Sequence, residues 1–427
     1  MVGVHYWHGR LDMIRPTRAL AVVAAAATAL VPAIALGSAA GSTPRAAATA
    51  SVAPALKYRQ LNAVSCVSAT ACFMVGISAY GSQGVPVKTL TARWNGLNWS
   101  IFPSPNSTKV PNNQLQGVSC TSTTNCFAVG YTWNSAYGAQ STLVEHWNGK
   151  NWSIVPSPNP SLNSMLQSVS CPTATFCVAV GSQYHKATKN LATLVETWNG
   201  TTWSVATSQN PAGPNRFQTL AAVSCPNSTT CLAVGEYDIS DGTYFTLGER
   251  WNGTTWSIDP GLAVRDRDYI IMRSVACPTP TDCFAVGNAQ GTSTLAVQLN
   301  GTTWSTVSLP GGSSNQTNGV SCASPTDCTV VGLDVNMFGT KPVNTAVIDH
   351  WNGASWSLVP DPSSDGSAQG LHAVSCTSPT FCLTVGTWFP VVNHQYVFGP
   401  PLLERWSGTS WLPVKSRNGT TFSGSAG

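Results

Sequence analysis

Fourteen cysteines fall into seven pairs, each with five residues between its members: Cys66/Cys72, Cys120/Cys126, Cys171/Cys177, Cys225/Cys231, Cys277/Cys283, Cys322/Cys328 and Cys376/Cys382. Such pairs can bind metal, exchange redox state or form disulfides. Zinc wants further ligands, and no histidine recurs beside the pairs. The spacing is not the Cys-x-x-Cys of a redox motif. An even cysteine count in an exported chain predicts disulfides within each pair. Each would close a small loop and add about 2 kcal/mol by loss of chain entropy in the unfolded state.

The carboxylates show a different pattern. Glu145, Glu196, Glu249, Asp349 and Glu404 each stand two residues before a recurring tryptophan. Recurrence marks them as structural acceptors or solvated strand residues, not catalytic acids. Glycosidic cleavage needs two carboxylates on opposite sides of a bond. Asp238, Asp241 and Asp334 lie in segments open to that use, but spacing alone pairs none of them. No catalytic set, metal site or cofactor is expected.

Aromatic and polar side chains gather in the segments that differ most from copy to copy. They are Tyr131, Trp133 and Tyr137 in the second copy, Tyr184 and His185 in the third, and Tyr237 and Tyr244 in the fourth. Phe338 follows in the sixth, and Trp388, Phe389, His394 and Tyr396 in the seventh. Exposed aromatic clusters mark interaction surfaces, so these residues are the candidate binding set, with capping of a channel end as the alternative. Arg265 and Arg267, in Arg265-Asp266-Arg267-Asp268-Tyr269, form the densest charge cluster, either a solvated loop or a recognition element.

The elements that position these residues are set by a repeat. Val-x-Cys, five residues, Cys, then x-x-Val-Gly recurs seven times, with steps of 54, 51, 54, 52, 45 and 54 residues between first cysteines. A second phrase, Trp-Asn-Gly-x-x-Trp, follows in every copy, worn at Leu299–Trp304 and Trp406–Trp411. Asn-Gly is a strong hairpin signal, and a four-residue loop would set the two tryptophans face to face. Their presence in every copy points to packing before sugar stacking. Each copy holds four short strand-like runs. In the second these are Leu115–Cys120, Cys126–Gly130, Thr142–Trp147 and Trp152–Val155. Four antiparallel strands at a period near fifty predict an all-β fold, a seven-bladed β-propeller of four-stranded antiparallel blades with one intra-blade disulfide each. A sandwich would not need seven equivalent units. The invariant Gly after Val is expected to permit a bend or close blade approach.

Antiparallel order puts the one-to-two and three-to-four turns at one end of the ring, short and nearly constant. The two-to-three loops and the links between blades share the other end, and they vary. Functional loops concentrate on such faces. Residues 55–60 could add a strand that locks the ring.

The N-terminal region reads as an export signal. Arg15 and Arg18 precede an apolar run from Ala19 to Leu36, and Ser38-Ala39-Ala40 fits a small-x-small cleavage site. The expected organisation is a signal peptide over 1–40, a flexible leader over 41–54, the propeller over 55–417 and a disordered tail over 418–427. No second apolar span follows, so no membrane span is expected after cleavage. Only 9% of residues are charged and the net charge is +4. The basic face of a nucleic-acid binder is missing. A secreted monomer is expected.

The order Val-Gly, variable loop, strand ending in Trp-Asn-Gly-x-x-Trp, then a Pro-rich link resembles the kelch and galactose-oxidase type of repeat, with Val129-Gly130 where that family has two glycines. Gly149–Trp152 also resembles half of the sialidase Asp-box, with Trp147 at the Asp position. The resemblance covers about residues 60–415 and implies a propeller. Its chemistry does not carry over: the copper site needs a cysteine that the repeat already uses, and no motif marks a sialidase arginine set. The expected function is non-catalytic binding of a glycan, cell-wall component or protein, with a carbohydrate-active enzyme as the alternative.

Overall fold

A computed structural model describes residues 56–414, apart from 82–83, 135–138, 186–188, 212–216, 240–241, 263, 267–269, 290–292, 312–314, 337–342, 363–367, 390, 393–394 and 397–398. The expected signal, leader and tail lie outside the described residues. The fold is all-β, a propeller of seven four-stranded antiparallel sheets taken in chain order. The innermost strands are Leu56–Ser68, Asn112–Ser122, Ser164–Thr173, Phe217–Asn227, Ile270–Thr279, Asn315–Ser324 and Ala368–Ser378.

Blade 2 shows how far the strands run. Its four are Asn112–Ser122, Asn125–Trp133, Gln140–Trp147 and Trp152–Val155. The first three outlast the predicted runs. Tyr131, Thr132 and Trp133 are strong strand formers, and they keep pairing with Thr142, Ser141 and Gln140 beyond the glycine.

The ring closes by packing. Leu61, Met74 and Leu90 of blade 1 share a buried cluster with Leu383, Val385 and Leu403 of blade 7. Residues 56–60 begin the innermost strand of blade 1 itself, so they are not an added locking strand.

Every cysteine pair forms a disulfide within its blade: Cys66–Cys72, Cys120–Cys126, Cys171–Cys177, Cys225–Cys231, Cys277–Cys283, Cys322–Cys328 and Cys376–Cys382. Their Cα atoms stand 3.9–4.1 Å apart. That is closer than the usual range of about 4.4–6.8 Å; the two strands are held together by a tight hairpin, and in blade 1 Cys66 directly faces Cys72. The two members of a pair are not equivalent, which spacing alone does not reveal. Cys72, Cys126, Cys177, Cys231, Cys283, Cys328 and Cys382, on the second strands, are at most 2% exposed. Each lies in one of the apolar clusters that join neighbouring blades. Strand alternation turns them inward with the apolar row of the second strand. These seven are therefore core residues as well as bridge halves, and no ligand can reach them as members of a surface site.

The invariant glycine has a local cause. In blade 2 the register slips between Leu115 and Gly117, which leaves Gln116 as the extra residue of a bulge. The slip drives the Gln114 carbonyl towards Gly130, where a Cβ would collide with it. All seven blades repeat this arrangement. The close approach is therefore within a blade, not between blades.

An innermost strand has no fifth partner, so its backbone groups on the axial side need other acceptors and donors. The serine of Val-Ser-Cys supplies one. Ser65 Oγ accepts from Cys120 N of the next blade at 3.0 Å, and Ser375 Oγ accepts from Cys66 N at 3.0 Å across the closure. Ser119, Ser170, Ser224 and Ser321 do the same at 2.9–3.0 Å. Blade 5 carries Ala276 at this position.

The outer hairpins follow the Asn-Gly phrase. Trp147 and Trp152 are direct cross-strand partners, with ring centroids 5.8 Å apart. Gly149 has φ +93°, a left-handed conformation that glycine adopts without penalty. The Trp147 indole N–H also donates to Thr123 O at 3.1 Å, tying the outer hairpin to the one-to-two turn.

Candidate functional site

The recurring carboxyls are buried in the seams between blades. Ser157, on the link leaving blade 2, donates to Glu196 Oε2 at 2.7 Å. Ser208 donates to Glu249 at 2.8 Å, where Gln209 N adds a second bond at 3.2 Å. Loss of solvent raises the pKa of Glu145 to about 8, of Glu196 and Glu249 to about 7, and of Asp349 to about 6, each opposed by a donor hydrogen bond. These groups act as acceptors between blades, and the solvated alternative is excluded for them.

Two carboxyls of blade 4 share one strand face. Glu236 is wholly buried and accepts from Met272 N of blade 5 at 3.1 Å; desolvation raises its pKa to about 8, opposed by that N–H and by Arg273. Asp238, two residues on, is also buried, and its Oδ1 has no protein partner. Asp334 lies at a strand end in blade 6, half-buried, and Asp241 lies outside the described residues.

The bulge residues ring the axis. Asn62 Nδ2 donates to Leu115 O at 2.8 Å, Asn318 Nδ2 donates to Leu371 O at 2.9 Å, and His372 Nδ1 lies 2.9 Å from Leu61 O. Burial lowers the His372 pKa, the Leu61 carbonyl opposes this, and Arg273 lowers it further. A neutral ring donating from Nδ1 fits that environment. Arg273, His372 and Glu236 were not read from the sequence as site residues. For Arg273 and His372 the signal was there: each bulge residue follows the Leu, Met or Thr three places before the repeated Val. Towards the constant end, Ser65, Ser224, Ala276, Ser321 and Ser375 border a polar cavity of about 240 Å³.

At the variable end most of the described candidates stand on strand ends, not in loops. Tyr131 and Trp133 contact each other with centroids 5.4 Å apart, and Trp133 packs on Ile77, Ala79 and Val87 of blade 1. Tyr184 and His185 end the second strand of blade 3, Tyr184 half-buried and His185 exposed. Tyr237 stacks on Phe245, with centroids 5.1 Å apart and planes 13° apart. Tyr244 packs against the cluster between blades 4 and 5. Trp388 is half-buried on the second strand of blade 7, which ends at Phe389. Tyr396 pairs with Val391 in a short hairpin. Tyr137, Phe338, His394 and Arg267 lie outside the described residues. The structure thus brings two pairs together, Tyr131 with Trp133 and Tyr237 with Phe245, and distributes the others around the ring.

Arg265–Asp266 is a strand. It pairs with Phe245 and Tyr244 and makes a fifth strand on blade 4. In blades 1 to 3 the same outer edge is met by the link asparagine: Thr89, Thr142 and Thr193 donate their N–H to Asn106, Asn159 and Asn210 at 2.8–3.0 Å. In blade 4 Thr246 N donates instead to Val264 O at 3.0 Å. The charged link therefore serves as an edge cover.

No protein-family model matches the sequence, and no curated protein matches it significantly. Solved structures match most of the chain. YCF48 bound to D1 peptide is 12% identical, with a TM-score of 0.49 over 78% of this chain and 92% of that one. A xyloglucanase from Xanthomonas campestris is 10% identical, with a TM-score of 0.50 over 84% of this chain and 55% of that one. A fucose-specific lectin from Aleuria aurantia is 11% identical, with a TM-score of 0.44 over 72% of this chain and 99% of that one. At such identities a likeness concerns the fold alone, and the expected kelch and galactose-oxidase kinship is not confirmed. Seven disulfides fit an oxidising, extracellular compartment. Among the described residues no helix is long and apolar enough to cross a membrane.

Proposed function

We propose that the chain is a secreted, monomeric, non-catalytic binding protein of kelch-like repeat type, which engages a glycan, cell-wall component or protein through the variable end of the ring. One observation carries this reading. Residues that recur in every blade are used by the scaffold, while aromatic side chains that do not recur stand at one end, with Tyr237 lying flat on Phe245. Stacked, partly exposed rings beside polar groups suit recognition. The signal segment and the seven disulfides support export, and N-terminal sequencing of the exported chain should begin after Ala40. A glycan and peptide array followed by product analysis tests the function. Retention without bond cleavage is expected. Turnover that Asp238→Asn or Asp334→Asn abolishes would establish the carbohydrate-active enzyme instead.

A further inference from the structure

The seam between blades 3 and 4 carries chemistry that the scaffold does not require. Gln218, Tyr237 and Phe245 are direct partners on three adjacent strands of blade 4, so their side chains share one face. That face is turned to blade 3, because Tyr237 packs with Val178, Val180 and Leu220 in the cluster between the two blades. On the blade 3 side, the period-two alternation continues the row of Val178 and Val180 through Ser182 to Tyr184. Tyr184 and the Tyr237–Phe245 stack therefore border one seam at the variable end.

The same seam holds two buried polar atoms without protein partners. Ser182 is 1% exposed and Gln218 is 8% exposed, and neither Ser182 Oγ nor Gln218 Oε1 has a hydrogen-bond partner. Buried polar groups are nearly always satisfied, so orphaned ones call for an occupant. Packing does not demand a serine at position 182. The seam between blades 1 and 2 has Ile77 and Ala79 where this one has Ser182 and Tyr184, and it is closed by an apolar cluster with Val87 and Trp133.

We propose that this seam is a subsite for one ring of a neutral pyranose, with Tyr237 and Phe245 stacking on its C–H face and Gln218 and Ser182 meeting its hydroxyls. The proposal rests on the reading of this end as the binding face. Neutral sugar is favoured because both rows are uncharged: an ionic ligand would find no counter-charge among Ser182, Tyr184, Gln218, Tyr237 and Phe245. An apolar wall with a few convergent polar groups is also the usual make-up of a small-ligand site.

Isothermal titration of the full secreted chain with cellohexaose, chitohexaose, mannohexaose and a tetragalacturonate tests it. At least one neutral hexaose should bind and the acidic one should not. Tyr237→Ala should weaken binding about tenfold or more, and Tyr237→Phe should keep it within about threefold. Gln218→Leu provides a readout that a packing role would not: it removes the orphaned acceptor, so it should weaken sugar binding while raising Tm. Absence of binding by every neutral hexaose overturns the subsite. Binding that tolerates both Tyr237→Ala and Gln218→Leu also overturns it and leaves the binding role of the face intact. Cleavage of a hexaose that depends on Tyr237 keeps the subsite and overturns the non-catalytic reading.

Discussion

Ser104 Oγ, on the link leaving blade 1, donates to Glu145 Oε2 of blade 2 across 2.7 Å, and the Glu145 carboxyl is fully buried. The link residue and the seam residue match in character along the chain. Serine links meet Glu145, Glu196 and Glu249. Ahead of Asp349 the link offers the Gly311 N–H. Where the acid position holds Val297 the incoming link presents Leu262, and where it holds Ala92 the link presents Val414. At these six positions a donor is placed against a carboxyl and an aliphatic against an aliphatic, so none of the four acids among them is buried without a hydrogen-bond donor.

Stability should fall as pH rises from mildly acidic to mildly alkaline. Burial holds Glu145 and Glu236 near pKa 8 and Glu196 and Glu249 near 7, above their ordinary 4.5. Between about pH 4.5 and 8 the unfolded chain has therefore released protons that the folded chain keeps, and each group subtracts up to about 1.4 kcal/mol per pH unit. The loss is complete once pH passes the folded values. A thermal melt should show a Tm several degrees higher at pH 5 than at pH 8. A Tm that rises over that interval would contradict the assignment.

Replacing Glu145 by Gln should flatten part of this dependence. The amide oxygen still accepts from Ser104, but nothing titrates. The variant should match the wild type near pH 5 and exceed it by about 1 kcal/mol or more near pH 8, measured by urea unfolding at both pH values. Glu145→Ala should be destabilising at both.

Ala276 leaves blade 5 without the serine that clasps a neighbouring cysteine N–H in the other six blades. Ala276→Ser should let blade 5 reach Cys322 N and add about 0.5–1.5 kcal/mol. Ser224→Ala, which removes the bond to Cys277 N, should cost a similar amount. Paired Tm measurements moving in opposite directions check both.

Gly130→Ala should prevent blade 2 from closing its bulge, because the new Cβ would meet the Gln114 carbonyl, a backbone atom that cannot rotate away. The cost should exceed about 4 kcal/mol, read as loss of soluble, cooperatively melting protein. Gly242→Ala, at φ +83° with open space around the position, should cost only about 1 kcal/mol.

Loss of a single disulfide should be tolerated. The Cys120→Ala, Cys126→Ala double variant removes a loop of six-residue separation and should lose about 2 kcal/mol, with alanine at the buried 126 position adding no unpaired hydroxyl to the core. It should melt cooperatively at a lower Tm, because the other six bridges lie in other blades. Collapse of the whole ring on loss of one bridge would show that the blades are less independent than their separate hairpins imply.

The local phrases were enough to determine the blade count, the disulfide partners, the four-strand order and the Trp-Asn-Gly-x-x-Trp hairpins, because each depends on neighbours within about fifty residues and on turn chemistry that repeats. Relations between blades were decided only in the tertiary structure. Whether Glu145 faced water or Ser104, whether residues 56–60 locked the ring, and whether Arg265–Asp266 was a loop or an edge strand all depend on which surfaces meet once the ring closes. The burial of Cys177 and its six counterparts in the seams has the same origin. The candidate site divides the same way. Tyr237 and Tyr184 were legible as aromatic residues outside the repeat, but their common seam, and the unpartnered Ser182 Oγ and Gln218 Oε1 within it, arise from strand alternation on two separate sheets brought face to face.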